Sequence, residues 1–143
     1  MAILHSLEKE NLELIAKELG SWVVYIKDNS LRESCTTAHS MELCTMSVEC
    51  LHDLSKSSAE CLHATGTWHV QVRTKAGVEY FARTARPDGK AWKIYSFYGP
   101  GLARDIDDGL SQLDKMFDDS FNIRVVEIPA YLITGLTLEK EGV

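Results

Sequence analysis

A short internal echo carries the most reactive side chains in the chain: Glu49-Cys50-Leu51-His52 and Glu60-Cys61-Leu62-His63. Thiolate and imidazole are preferred zinc ligands, so two Cys-x-His pairs raise the question of a metal site. Spacing argues against one. On an α-helix, residues two apart point about 200° from each other, and the offset between the pairs spans roughly 16 Å along the axis. Four ligands at about 2.0–2.3 Å from one ion do not come from that arrangement. A site forms only if residues 55–58 make a tight turn and neither pair is helical. The simpler account treats Cys50 and Cys61 as small buried hydrophobes. No metal and no cofactor are expected.

Cys35 and His39 are four apart, a helical spacing that sets a thiol beside an imidazole and can lower the thiol pKa. One such coincidence among four Cys and five His does not define a catalytic site. No Gly-x-Ser-x-Gly, Walker or dinucleotide glycine pattern occurs. Asp105-Ile106-Asp107-Asp108-Gly109 has the flavour of a calcium loop, but Met116 stands where such a loop needs Glu. Asp105, Asp107, Asp108, Asp114, Asp118 and Asp119 read instead as the solvated face of an amphipathic helix. Tyr98-Gly99-Pro100-Gly101 precedes that helix; Pro100 removes one amide donor, and a structural turn is the better reading.

The strongest candidate for binding lies between residues 67 and 98. Arg73, Lys75, Arg83, Arg86, Lys90 and Lys93 face only Glu79 and Asp88, a local balance of +4, so the rest of a chain totalling −6 holds −10. Aromatic rings are interleaved with these cations. That pairing suits anionic ligands and single-stranded nucleic acid. The candidate ligand-binding set is Arg73, Arg83, Lys93, Tyr80, Trp92 and Tyr95. Alternation in a two-faced antiparallel sheet also produces most of this pattern.

These residues need elements to hold them. Leu12, Ile15, Ala16 and Leu19 form an apolar stripe, so residues 6–20 read as a helix with Ser6 as N-cap and Gly20 past its end. Trp22 to Lys27 is β-branched and aromatic and reads as a strand. Met41, Cys44, Val48, Leu51 and Leu54 suggest a second helix over 37–54, broken at Ser55–Ser58, with a short helical piece reaching Leu62. Trp68, Val70 and Val72 alternate with His69, Gln71 and Arg73, which predicts a half-buried strand with the polar set outward. Turns at Lys75-Ala76-Gly77 and Arg86-Pro87-Asp88-Gly89 separate it from strands at 78–85 and 91–98, giving an antiparallel meander. Leu102, Ile106, Leu110, Leu113 and Phe117 predict a helix; 122–128 and 131–138 predict two closing strands around Pro129.

The sum is one α+β domain over 1–143: a mainly antiparallel sheet, centred on the three-stranded meander, with two to four helices packed on it. Such a length supports a sizeable core. No apolar run approaches the roughly 20 residues needed to span a bilayer, and the N-terminus lacks the features of a signal peptide. A cytoplasmic protein with reduced cysteines is expected. The acidic balance disfavours whole-surface attraction to nucleic acid or membrane. With no coherent catalytic set, a small non-enzymatic binding or regulatory protein is expected, acting through a protein partner or as a homo-oligomer. Leu14, off the main stripe of the first helix, and the ring-rich third strand of the meander are the candidate contacts. The alternatives are an anionic-ligand or single-stranded nucleic-acid module on the basic sheet, and a small enzyme with a Cys/His site.

Overall fold

The computed structural model describes residues 7–23, 36–52, 58–75, 77–99, 101–116, 121–128 and 133–140. Helix α1 (Lys9–Val23) opens on the Leu12 amide donating to the Glu8 carbonyl at 3.1 Å. It does not stop at Gly20. Ile15, Leu19 and Trp22 continue one apolar stripe, and burying Trp22 against the core outweighs a glycine cost of about 1 kcal/mol. Trp22 and Val23, predicted to begin a strand, are therefore helical. Residues 24–27 of that strand, and Ser6, lie outside the described residues.

The largest correction concerns 37–54. Thr36–Met46 is a strand, β1, and among the described residues of that span only Val48–His52 is helical, α2. Its apolar spacing imitates a helix because β1 is covered on both sides, so its buried residues do not alternate. Met41 and Leu43 join one core cluster, while Ser40 and Cys44 are buried as well. The Ser47 hydroxyl accepts from the Cys50 amide at 3.4 Å and caps α2. A second short helix, α3 (Ser58–Cys61), leads directly into β2 (Leu62–Thr74).

The meander is present: β2, then β3 (Gly77–Ala85), a 3₁₀ turn at Pro87–Gly89, and β4 (Lys93–Tyr98), all antiparallel. Helix α4 (Gly101–Met116) follows, then the hairpin of β5 (Phe121–Ile128) and β6 (Ile133–Lys140). The strand order is β4-β3-β2-β1-β5-β6, with β1 and β5 the one parallel pair among the described strands. The meander is thus one half of a larger sheet rather than its centre. The two middle positions belong to β2 and β1.

Helices cover opposite faces. Ile15 and Leu19 of α1 pack on Val70, Val72, Ala82, Trp92 and Ile94. Ile106 and Leu110 of α4 pack on Met41, Leu43, Ile123 and Val125, and Ala103 packs on Val78 and Phe81. The result is a helix–sheet–helix sandwich of mostly antiparallel α+β type. No helix among the described residues is long and apolar enough to cross a membrane.

Two glycines shape β2. Between the pairs Glu42–Trp68 and Cys44–Ala64 the ladder skips, and Gly66 sits in the gap at φ 75°. There the Thr65 hydroxyl donates to the Leu43 carbonyl at 2.8 Å. Gly77 closes the β2–β3 turn at φ 111°, a region that L side chains rarely enter. Gly77→Ala is therefore expected to lower the unfolding free energy by about 1–3 kcal/mol although the site has open space. Urea denaturation of the two proteins measures it.

Candidate functional site

The most chemically distinctive region lies under the start of α4, where polar groups sit inside the sandwich. His69 and Gln71 alternate with Val70 and Val72, so sequence places them outward. Both are instead fully buried beneath α4. The reason is that β2 is an interior strand with a helix on each face, so both of its faces are core.

The network has a definite proton arrangement. Gln71 Nε2 donates to the Ala103 carbonyl of α4 at 2.8 Å, which fixes Gln71 Oε1 as the acceptor facing His69 Nε2 at 2.6 Å. His69 is consequently the neutral tautomer with the proton on Nε2. Its Nδ1 is buried without a hydrogen-bond partner among the described residues. The ring stacks on Phe81 with centroids 4.6 Å apart. Burial lowers the His69 pKa to about 4; the bond to Gln71 opposes that shift, and nearby Arg83 adds to it.

Arg83 stands opposite His69 in the β2–β3 register, and its guanidinium carbon lies 5.4 Å from the Phe81 ring centroid. It forms an ion pair with Glu127 of β5, although β2 and β1 lie between the two strands. Beside this pair is a cavity of about 430 Å³, lined by Phe81, Arg83, Gly99, Leu102 and Glu127. On the other side of the sheet, Arg124 reaches Glu42 at 3.4 Å.

The six residues chosen from sequence do not form one site. Tyr80 and Trp92 belong to the α1 side: Tyr80 stacks on Phe97 at 5.2 Å, and Trp92, 7% exposed, donates Nε1–H to Asn11 at 3.2 Å. Arg83 lies on the α4 side. Arg73 is exposed near the far end of β2, four residues beyond the position opposite Arg83, or about 13 Å along the strand. Arg73 and Arg83 are therefore not direct cross-strand neighbours. Lys93 and Tyr95 are exposed on β4, at the sheet edge among the described strands. Of the six, only Arg83 lines the cavity.

The other candidates disperse. Cys50 and His52 are on α2, Cys61 closes α3 and His63 begins β2; His52 and His63 are exposed and Cys61 is buried. No group of three potential metal ligands converges among the described residues. His39 is on β1, not on a helix, and Cys35 lies outside the described residues. Asp105, Asp108 and Asp114 are exposed along α4 and Asp107 is half-buried, as an amphipathic face requires; Asp118 and Asp119 lie outside the described residues.

No family model, curated protein or solved structure matches this chain. Its chemistry must therefore be argued from the residues themselves. The partners that sequence reasoning missed around Arg83 are Glu127, Gly99 and Leu102, which come from three later segments. The polar character of His69 and Gln71 was visible, but their burial depends on where α4 docks.

Proposed function

We infer that this chain is a binding or regulatory protein whose action is to hold a protein partner, and that the partner is a second copy of itself. The supporting observation is that α1, which packs against β4, and β4 itself each carry an exposed patch, of opposite charge. Leu14, 49% exposed, stands at the centre of the first. Glu10 and Glu18 lie one turn to either side of it, and all three face solvent. Tyr95, 58% exposed, centres the second, with exposed Lys93 on the same strand and Arg86 and Lys90 at the adjoining turn. Arg86 Nε–H donates to the Lys90 carbonyl at 2.6 Å and stiffens that turn.

A two-fold axis sets the acidic patch of each copy on the basic patch of the other, so every contact is made twice. Leu14 and Tyr95 supply the apolar centre and the charges set the register. The alternative of an anionic ligand or nucleic acid spread over the meander has less support, because Arg73 lies about 13 Å along the strand from the position opposite Arg83 and Tyr80 and Trp92 belong to the other face.

Sedimentation equilibrium tests this. The wild type is expected to dimerise, more tightly at low salt. Leu14→Ala with Tyr95→Ala is expected to raise the dimer Kd at least tenfold, about 1.4 kcal/mol. Glu18→Lys and Lys93→Glu should each weaken the dimer, and together should recover much of the loss. Wild-type association by the Leu14/Tyr95 variant refutes the assignment.

A further inference from the structure

We propose that the cavity beside Arg83 and Glu127 binds a small zwitterion of the α-amino-acid class, with an apolar side chain. Its volume of about 430 Å³ falls within the range of small-molecule sites and exceeds what one ordered water needs. Among the described residues, the lining combines one cation, one anion, an aromatic ring, an aliphatic side chain and a glycine. A site that sets a few convergent polar groups among apolar ones is what orients a small ligand.

The charges specify the class. The Arg83 and Glu127 side chains are only 17% and 27% exposed, so most of each is withdrawn from water. Arg83 meets Glu127 through Nη1, while its Nε is buried without a hydrogen-bond partner among the described residues. A guanidinium offers five N–H donors and a carboxylate about four acceptor positions, so the contact between them through Nη1 leaves each with capacity for a ligand. A ligand carboxylate accepts from the Arg83 N–H groups that line the cavity, and an ammonium group donates to the Glu127 carboxylate. An anion alone meets repulsion from Glu127, and a cation alone meets repulsion from Arg83. A molecule carrying both charges, close together, engages each and leaves the site neutral. Leu102 and Phe81 then face the ligand's side chain, and Gly99 presents backbone without bulk.

This inference is independent of the association surface, since Leu14 and Tyr95 do not line the cavity. Isothermal titration of the full chain with L-phenylalanine and L-leucine is the direct test. 3-Phenylpropanoate and 2-phenylethylamine serve as the carboxylate-only and ammonium-only probes. Saturable binding of at least one amino acid is expected, with each half-ligand at least tenfold weaker than L-phenylalanine. Arg83→Met and Glu127→Gln should each weaken amino-acid binding tenfold or more. Glu127→Gln keeps the side-chain shape and decides the matter if Arg83→Met fails to give a native circular dichroism spectrum. The proposal is overturned if neither amino acid binds the wild type, if the half-ligands bind as tightly, or if folded Glu127→Gln binds like the wild type.

Discussion

Trp92→Ala is expected to lower the unfolding free energy by about 3–5 kcal/mol, which in a domain of this size shifts Tm by roughly 10 °C. Trp92 is buried where α1 meets the meander, among Ile15, Leu19, Val70 and Ile94. Truncation opens a cavity between two layers that cannot close without moving the helix. It also strips the Asn11 side chain of its donor, since Trp92 Nε1–H, just before β4, donates to Asn11 on α1. Trp92→Phe should cost about 1–2 kcal/mol, since it fills most of the volume and loses chiefly the hydrogen bond. Urea denaturation followed by circular dichroism separates the two. A loss below about 1 kcal/mol for Trp92→Ala would show that α1 is not held against β4.

The second large effect is a loss of stability in acid. His69 is held neutral in the core with its pKa lowered from 6.5 to about 4, chiefly by burial. Between those two values the unfolded chain binds a proton that the folded chain refuses, so stability increases with pH. The contribution is complete above about pH 6.5, declines as the pH drops, and is spent below about pH 4. The difference of some 2.5 pKa steps corresponds to roughly 3 kcal/mol. The physical origin is visible: a proton added at Nδ1 finds no acceptor and brings a charge close to Arg83. His69→Gln should remove this part of the acid sensitivity even if it lowers stability at neutral pH. Unfolding free energies of both proteins at pH 7 and across the acid range measure the difference. Parallel pH profiles would rule out His69 as the titrating group.

Much of the architecture is legible in the chain because local signals and packing agree there. Strands β2 to β4 alternate or carry β-branched and aromatic residues, and turn residues mark their ends. Helix α4 has an apolar stripe that repeats cleanly, and Phe121–Ile128 and Ile133–Lys140 form the expected closing pair. The misreadings share one cause. A strand covered on both faces loses its alternation, so β1 looks helical, and β2 looks half-exposed although His69 and Gln71 are core. Gly20 looks like a helix end because propensity acts locally, whereas the Trp22 contact that carries α1 onward is tertiary. The parallel pairing of β1 with β5 joins Leu43 to Val125, a long-range choice with no local signature.

The candidate sites divide in the same way. Arg83 was legible as a cation on a sheet, and Tyr95 and Lys93 as exposed members of the third meander strand. Glu127 was not, because two strands lie between it and its partner. Leu14 was legible as an apolar residue off the stripe, but its meaning rests on α1 lying against β4.

Native mass spectrometry of the intact protein, purified without chelator, tests the proposed association most directly. The account predicts a homodimer at twice the 16.0 kDa chain mass, converted to monomer by Leu14→Ala with Tyr95→Ala. A wild-type spectrum holding only the 16.0 kDa monomer, at concentrations where weak dimers persist, would contradict it.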